Sequence, residues 1–344
     1  MNVLILLFVL ATGISFANWT AQTSFTTENI NDFHIENNTS AYYAVCNNAK
    51  IFKSTNSGST WADISSNLIS SNINSVKFYS SQEGIVTNQI GRVYRTADGG
   101  NSFELLSTSS DNHSVNDIYF VHTLNTIIVG DDGVYRKSTN TGSSWDTIPY
   151  KFNNSNLNSI GFNGINNGVI VGDGGAIFQT TNGGNDWASK TFSGVNENLN
   201  AVTYIGANNT FFGVGDNGRI IRSINNGLTW HTITSGVNAN LNAVCFTSNT
   251  NVGYIVGDGG VILKTTDAGV TWSQQINNNN SNLYAVKFVN ENGGYAFGNG
   301  GTFLKTISGG LNQSITLNAP QAGTTWIVNN QVNINWSYSM ITNI

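Results

Sequence analysis

One short pattern recurs seven times along this chain, at intervals of 41 to 43 residues: a hydroxyl residue, Asn or Asp two places on, then Gly, then an aromatic. The copies are STNSGSTW from Ser54, TADGGNSF from Thr96, STNTGSSW from Ser138, TTNGGNDW from Thr180, SINNGLTW from Ser223, TTDAGVTW from Thr265 and the degenerate TISGGLNQ from Thr306. A fixed period near forty in a strand-rich sequence specifies the blades of a β-propeller, each a four-stranded antiparallel sheet that cannot bury its faces alone. The expected fold class is therefore all-β, a seven-bladed propeller.

The copy from Leu241 to Ile276 shows the internal order most clearly. It offers a first strand LNAVCF, a second GYIVG, a third VILKT and a fourth TWSQQ. Second and third strands are joined by a Gly-Asp-x-Gly turn at Gly130–Gly133, Gly172–Gly175, Gly215–Gly218 and Gly257–Gly260, where positive φ angles favour Gly, Asn and Asp. The near-continuous apolar character of the first three strands suits sheets covered on both faces.

Closure follows from counting the aromatic of the fourth strand. Trp61, Phe103, Trp145, Trp187, Trp230 and Trp272 occupy it, but the last repeat has Gln313. The seventh aromatic lies at the other end, where Asn18-Trp19-Thr20-Ala21-Gln22 falls in register 42 residues before Trp61. Residues 18–23 are expected to supply the outer strand of the last blade, so that the ring has no free edge.

The box itself resembles the Asp-box, or bacterial neuraminidase (BNR) repeat. The whole unit, LNAVxF followed by VGDxGxIxxTTDGGxTW, is similar to propellers of the photosystem II stability and assembly factor family. The likeness covers about residues 18–311 and implies the fold; the functions it implies run from glycan-active enzymes to assembly factors. From Ser314, SITLNAPQAGTTWIVNNQVNINWSYSMITNI resembles the opening of an immunoglobulin-like module of the Ser-Thr-rich, cell-wall-associated type, with Trp326 and Trp336 matching its two tryptophans. Residues 312–344 are thus expected to be a linker and the start of such a sandwich, which needs about a hundred residues.

The first seventeen residues, an apolar run ending in Ser15-Phe16-Ala17, read as a secretory signal peptide cleaved before Asn18. The expected location is secreted or at the cell surface. Charged residues make up 10% of the chain, net charge −5, and fourteen Lys and Arg over seven repeats are too sparse for a nucleic-acid partner. Cys46 and Cys245 occupy different places in their repeats and are expected to be buried small residues rather than a disulfide. The four histidines show no ligand spacing, so no metal and no other cofactor is implied.

No residue presents itself as catalytic. A sialidase needs three arginines around its substrate carboxylate, but Arg95 and Arg222 stand where Lys53, Lys137, Lys264 and Lys305 stand, which marks them as third-strand surface residues. Asp131, Asp173, Asp216 and Asp258 gather on one face as turn residues, with an alternative role in sugar or Ca²⁺ contact or catalysis. At the start of the first strands Asn31, Asn74, Asn116, Asn158, Asn200 and Asn242 recur, with Tyr284 in the seventh place. These amides either satisfy backbone groups or, beside the aromatic, ring a channel mouth suited to sugars or extended peptides. The expected function is a non-catalytic, monomeric binding module for an extracellular glycan or protein, without membrane insertion. The alternatives are a glycan-active hydrolase and an assembly chaperone for a photosystem II-like membrane complex.

Overall fold

The computed structural model describes residues 14–16, 19–36, 39–67, 69–108, 112–122, 124–146, 152, 154–190, 192, 194–206, 208–309, 312–317 and 336–341. Seven antiparallel blades stand around one axis. The first strands are Ile30–Ile35, Ile73–Phe78, Val115–Phe120, Leu157–Asn163, Leu199–Tyr204, Leu241–Phe246 and Leu283–Phe288. Each packs beside the next, and the seventh packs beside the first, which closes the inner wall. Second strands such as Tyr42–Cys46 and Gly253–Gly257 are buried along their whole length, as unbroken apolar runs require.

The closure expected from Trp19 is present. Thr20 pairs with Lys305 and Ala21 with Leu304, so the amino-terminal segment is the outer strand of the blade whose inner strands lie between 283 and 306. Trp19 is wholly buried and meets Tyr254 of blade 6 and Phe288 of blade 7 edge-on, with ring centroids 6.1 and 5.7 Å away. Blade 3 reaches its fourth position through a single bridge between Lys137 and Asp146.

Most of the expected leader and the immunoglobulin-like segment lies outside the described residues, as do Gly310, Asn153 and the Ala17–Asn18 junction. From these parts, Ile14–Phe16, Asn312–Leu317 and Trp336–Ile341 form a small antiparallel sheet.

The repeated box is a turn between third and fourth strands whose residue types are fixed by hydrogen bonds. In the first copy Ser54 Oγ accepts the Gly58 N–H at 2.9 Å and donates to Asn56 Oδ1 at 2.9 Å. Asn56 Oδ1 in turn accepts the Thr60 N–H at 2.9 Å, and the Trp61 indole donates to the Gly58 carbonyl at 3.2 Å. Gly58 has φ 78°, a conformation costly for any residue with a Cβ. The hydroxyl and amide bonds recur from Ser138 and Ser223, and the indole bond recurs at Trp230. The leading hydroxyl, to which the sequence reading gave no role, is thus the pivot of the box.

Candidate functional site: the channel and its mouth

Every first strand carries a β-bulge after its first residue. The register shifts fall between Ile30 and Asp32, Ile73 and Ser75, Val115 and Asp117, Leu157 and Ser159, Leu199 and Ala201, Leu241 and Ala243, and Leu283 and Ala285. The residue skipped each time is the recurring Asn, or Tyr284. A bulge re-aims a side chain, and here it turns the amide toward the neighbouring blade at the channel mouth.

Five of the six amides then tie three pieces of chain together, and Asn74 ties two. Nδ2 of Asn116, Asn158, Asn200 and Asn242 donates to Oδ1 of Asp131, Asp173, Asp216 and Asp258 in its own blade, at 2.8 to 3.0 Å. The same nitrogen donates to the carbonyls of Leu157, Leu199, Leu241 and Leu283 in the next blade, at 2.9 to 3.1 Å. Asn31 does likewise with Asn47 and Ile73, while Asn74 bonds Ser114 and Val115. Tyr284 instead donates its hydroxyl to Asn299 Oδ1 at 2.7 Å. The backbone-satisfying role is therefore the observed one. Among the described residues nothing donates to Oδ1 of Asn158, Asn200 or Asn242, so the mouth offers amide carbonyl oxygens.

The Gly-Asp-x-Gly turns complete this belt. Each is a single tight helical turn, Asp173–Gly175 for example, with its central residue left-handed. Its first glycine is demanded by contact, not by φ: a Cβ on Gly172 would lie 2.0 Å from the Asn156 carbonyl oxygen. A second set of amides, two residues before the first, went unassigned in the sequence. Oδ1 of Asn156, Asn198, Asn240 and Asn282 accepts the N–H of Asp132, Gly174, Asn217 and Gly259 from the preceding blade's turn. The four aspartates thus share a face with the connections between blades, each held by an amide.

The third-strand cations need a correction. Arg95 and Arg222 are half-buried rather than on the surface, and of the lysines that stand at the same place Lys137 and Lys264 are buried, because each reaches the next blade's box: Lys137 Nζ lies 2.9 Å from the Gly183 carbonyl and Lys264 Nζ 2.6 Å from that of Gly309. Lys53 bonds the Gly99 carbonyl in the same way. Arg95 pairs instead with Glu83 and Glu104 of its own blade, and Arg219 pairs with Glu197. Cys46 and Cys245 are free and buried, as expected, and burial pushes both thiols up to about 12.

Below the mouth the channel encloses about 360 Å³ and carries charges that the sequence reading missed. Asp32 Oδ2 accepts from Lys77 Nζ at 2.9 Å, from the Val76 N–H at 3.1 Å and from Ser75 Oγ at 2.9 Å. Asp117 stands 3.9 Å from the same ammonium and accepts from Ser159 Oγ and the Ile160 N–H. Burial raises the Asp32 carboxyl, but the Lys77 and Lys287 ammoniums outweigh it and leave its pKa lowered. At Asp117 burial prevails and the pKa is raised. Burial also disfavours the Lys77 ammonium, which its two carboxylates hold charged, with a raised pKa. The signal for these groups lies in the positions one and three places after the recurring Asn, which vary while the rest of the strand repeats.

Comparison with known proteins gives the same relatives by sequence and by fold. The family model described as Photosynthesis system II assembly factor YCF48 matches residues 100–199 and 241–307. A solved structure described as YCF48 bound to D1 peptide superposes with a TM-score of 0.71 at 19% identity, covering 86% of this chain and 98% of its own. YCF48 from Cyanidioschyzon merolae gives 0.69 at 16% identity, covering 84% and 99%. No curated protein sequence matches. The chain is a seven-bladed Asp-box propeller that resembles the YCF48-like photosystem II assembly factors, in sequence over the matched residues and in fold around the whole ring.

Proposed function

We propose that this propeller is a non-catalytic binding protein that holds an extended segment of a protein client at the channel mouth. The family match over residues 100–199 and 241–307 carries this reading, since it favours the assembly-factor alternative over a glycan ligand or a glycan-active hydrolase. A structure that shares the fold has a peptide bound, which makes a peptide the ligand class to test first. The chemistry of the mouth agrees: side-chain carbonyls of the bulged asparagines offer acceptors to backbone N–H groups on a rigid ring. We further propose that the protein works after export, its first seventeen residues acting as the leader.

An array of peptides beside an array of glycans tests the ligand class. Peptides should be retained, and Tyr284→Ala, at the one place where the amide belt changes chemistry, should weaken retention about tenfold. Retention of glycans alone would overturn the reading. Amino-terminal sequencing of the protein recovered outside the expressing cell should begin at Asn18; recovery only from the cytosol would overturn export.

A further inference from the structure

Two seams of the ring are built alike and differ at one decisive residue. Between blades 1 and 2, Phe78 stacks on Tyr43 at 3.8 Å, and both Tyr43 and Lys53 bond the Gly99 carbonyl. Between blades 6 and 7, Phe288 stacks on Tyr254 at 3.9 Å, and both Tyr254 and Lys264 bond the Gly309 carbonyl. The strands that receive the neighbour end alike, Val76-Lys77-Phe78 and Val286-Lys287-Phe288. In the first seam Asp32 collects the Val76 N–H and the Lys77 ammonium on one oxygen. In the other seam the residue in the place of Asp32 is Ala243, whose methyl group accepts nothing.

This place in the seam is an acceptor position elsewhere in the ring. Asp117 receives the Ile160 N–H there, and Ser159 receives the Val202 N–H at 3.2 Å. At the seam between blades 6 and 7 the donors remain but blade 6 sends no acceptor. Among the described residues Lys287 has neither an ion pair nor a hydrogen bond. Ala243, Val286 and Lys287 all line the channel. Around its wall, from blade 3 back through blades 2 and 1 to blade 7, charge alternates as Asp117, Lys77, Asp32, Lys287, and the next carboxylate position holds Ala243.

We infer that this seam is a carboxylate subsite, in which the Lys287 ammonium and the Val286 N–H, over Ala243, receive the carboxylate of a peptide that enters the channel. The inference rests on the peptide-binding reading above and specifies which group of the peptide is recognised. A charge-assisted pair of donors fixed on one wall is a strong anion receptor. The small side chains of Ala201, Ala243 and Ala285 leave room for one side chain or one chain terminus. Either an acidic side chain or a free carboxy terminus supplies the chemistry.

The test follows the Val286 amide by ¹⁵N chemical shift at constant ionic strength. N-acetylglycine supplies a terminal carboxylate, N-acetylglutamate amide a side-chain carboxylate, and N-acetylglutamine amide is the neutral control. At least one carboxylate probe should shift Val286 and the control should not; whichever acts at lower concentration identifies the source. Lys287→Met should weaken the response about tenfold or more. Ala243→Asp, which places a carboxylate on the same donors as Asp32 does on its own, should abolish the response in a protein whose other amide shifts show it folded. No response to either carboxylate in the wild type, or an undiminished one in Ala243→Asp, would overturn the subsite. Peptide capture that is equally strong in wild type and Ala243→Asp would also overturn it while leaving peptide binding intact. A normal Val286 response with no peptide captured would instead sink the peptide-binding reading.

Discussion

The Asn158 amide nitrogen lies 2.8 Å from Asp173 Oδ1 and 3.0 Å from the Leu199 carbonyl oxygen, so one side chain fastens a turn of its own blade and the first strand of the next. Both bonds use the same donor group, and a methyl group replaces neither. Asn158→Ala should therefore lower stability by about 1 to 3 kcal/mol in a urea titration. Asn158→Asp should cost more at neutral pH than at pH 4, because it sets a second carboxylate against Asp173. A midpoint for Asn158→Ala equal to wild type would show the belt to be ornamental.

The closing strand gives the next expectation. Trp19 fills the seam between blades 6 and 7 with no exposed surface, so Trp19→Ala leaves a cavity and should cost about 3 to 5 kcal/mol. Removing residues 18–23 uncovers the edge of Phe303–Thr306 and should yield soluble aggregates by light scattering. A monodisperse truncated protein of full stability would contradict this account of closure.

How much of this was legible in the sequence depended on how often a residue type recurred. Trp19 could be placed because six equivalent aromatics fixed its register. The asparagines could be placed at the mouth but not understood, since a bulge that turns them toward the next blade leaves no mark in a pattern of alternation. The third-strand cations, Arg95 and Arg222 among them, read as surface groups for a related reason. Their period was visible, but the partners of Lys53, Lys137 and Lys264 are carbonyls of another blade's turn, 45 residues away in the case of Lys264 and Gly309. Asp32, Lys77, Asp117 and Lys287 escaped notice because each occurs once or twice, and only the ring brings them together.

Lys264 and Tyr254 converge on one acceptor, Nζ at 2.6 Å and the hydroxyl at 2.7 Å from the Gly309 carbonyl. Either donor alone keeps that carbonyl satisfied. Lys264→Met, which retains most of the apolar stem, and Tyr254→Phe should each be mild. The double variant should cost more than the sum of the two by about 1 to 3 kcal/mol, the cost of a bare buried carbonyl. Strict additivity in the double-mutant cycle would mean that the two contacts do not share a task.

His34 sets the response to acid. Its ring sits 5.7 Å from that of Phe78, its Nε2 is buried with no partner among the described residues, and burial first, then the Lys77 and Lys287 charges, depress its pKa to about 3 from 6.5. The unfolded chain therefore binds a proton between pH 6.5 and about 3 that the folded protein refuses. Stability from this group is complete above pH 6.5 and falls as the pH drops toward 3, with a slope of at most about 1.4 kcal/mol per pH unit. Asp117 works in the opposite sense, since its raised pKa penalises the charged form and the penalty is relieved as pH falls; Asp32, with a lowered pKa, loses its contribution only below the ordinary Asp range. His34→Phe keeps an aromatic against Phe78 and removes the titration. Between pH 6.5 and 4 the denaturation midpoint of the variant should change less steeply than that of the wild type, and parallel curves would show that the acid response arises elsewhere.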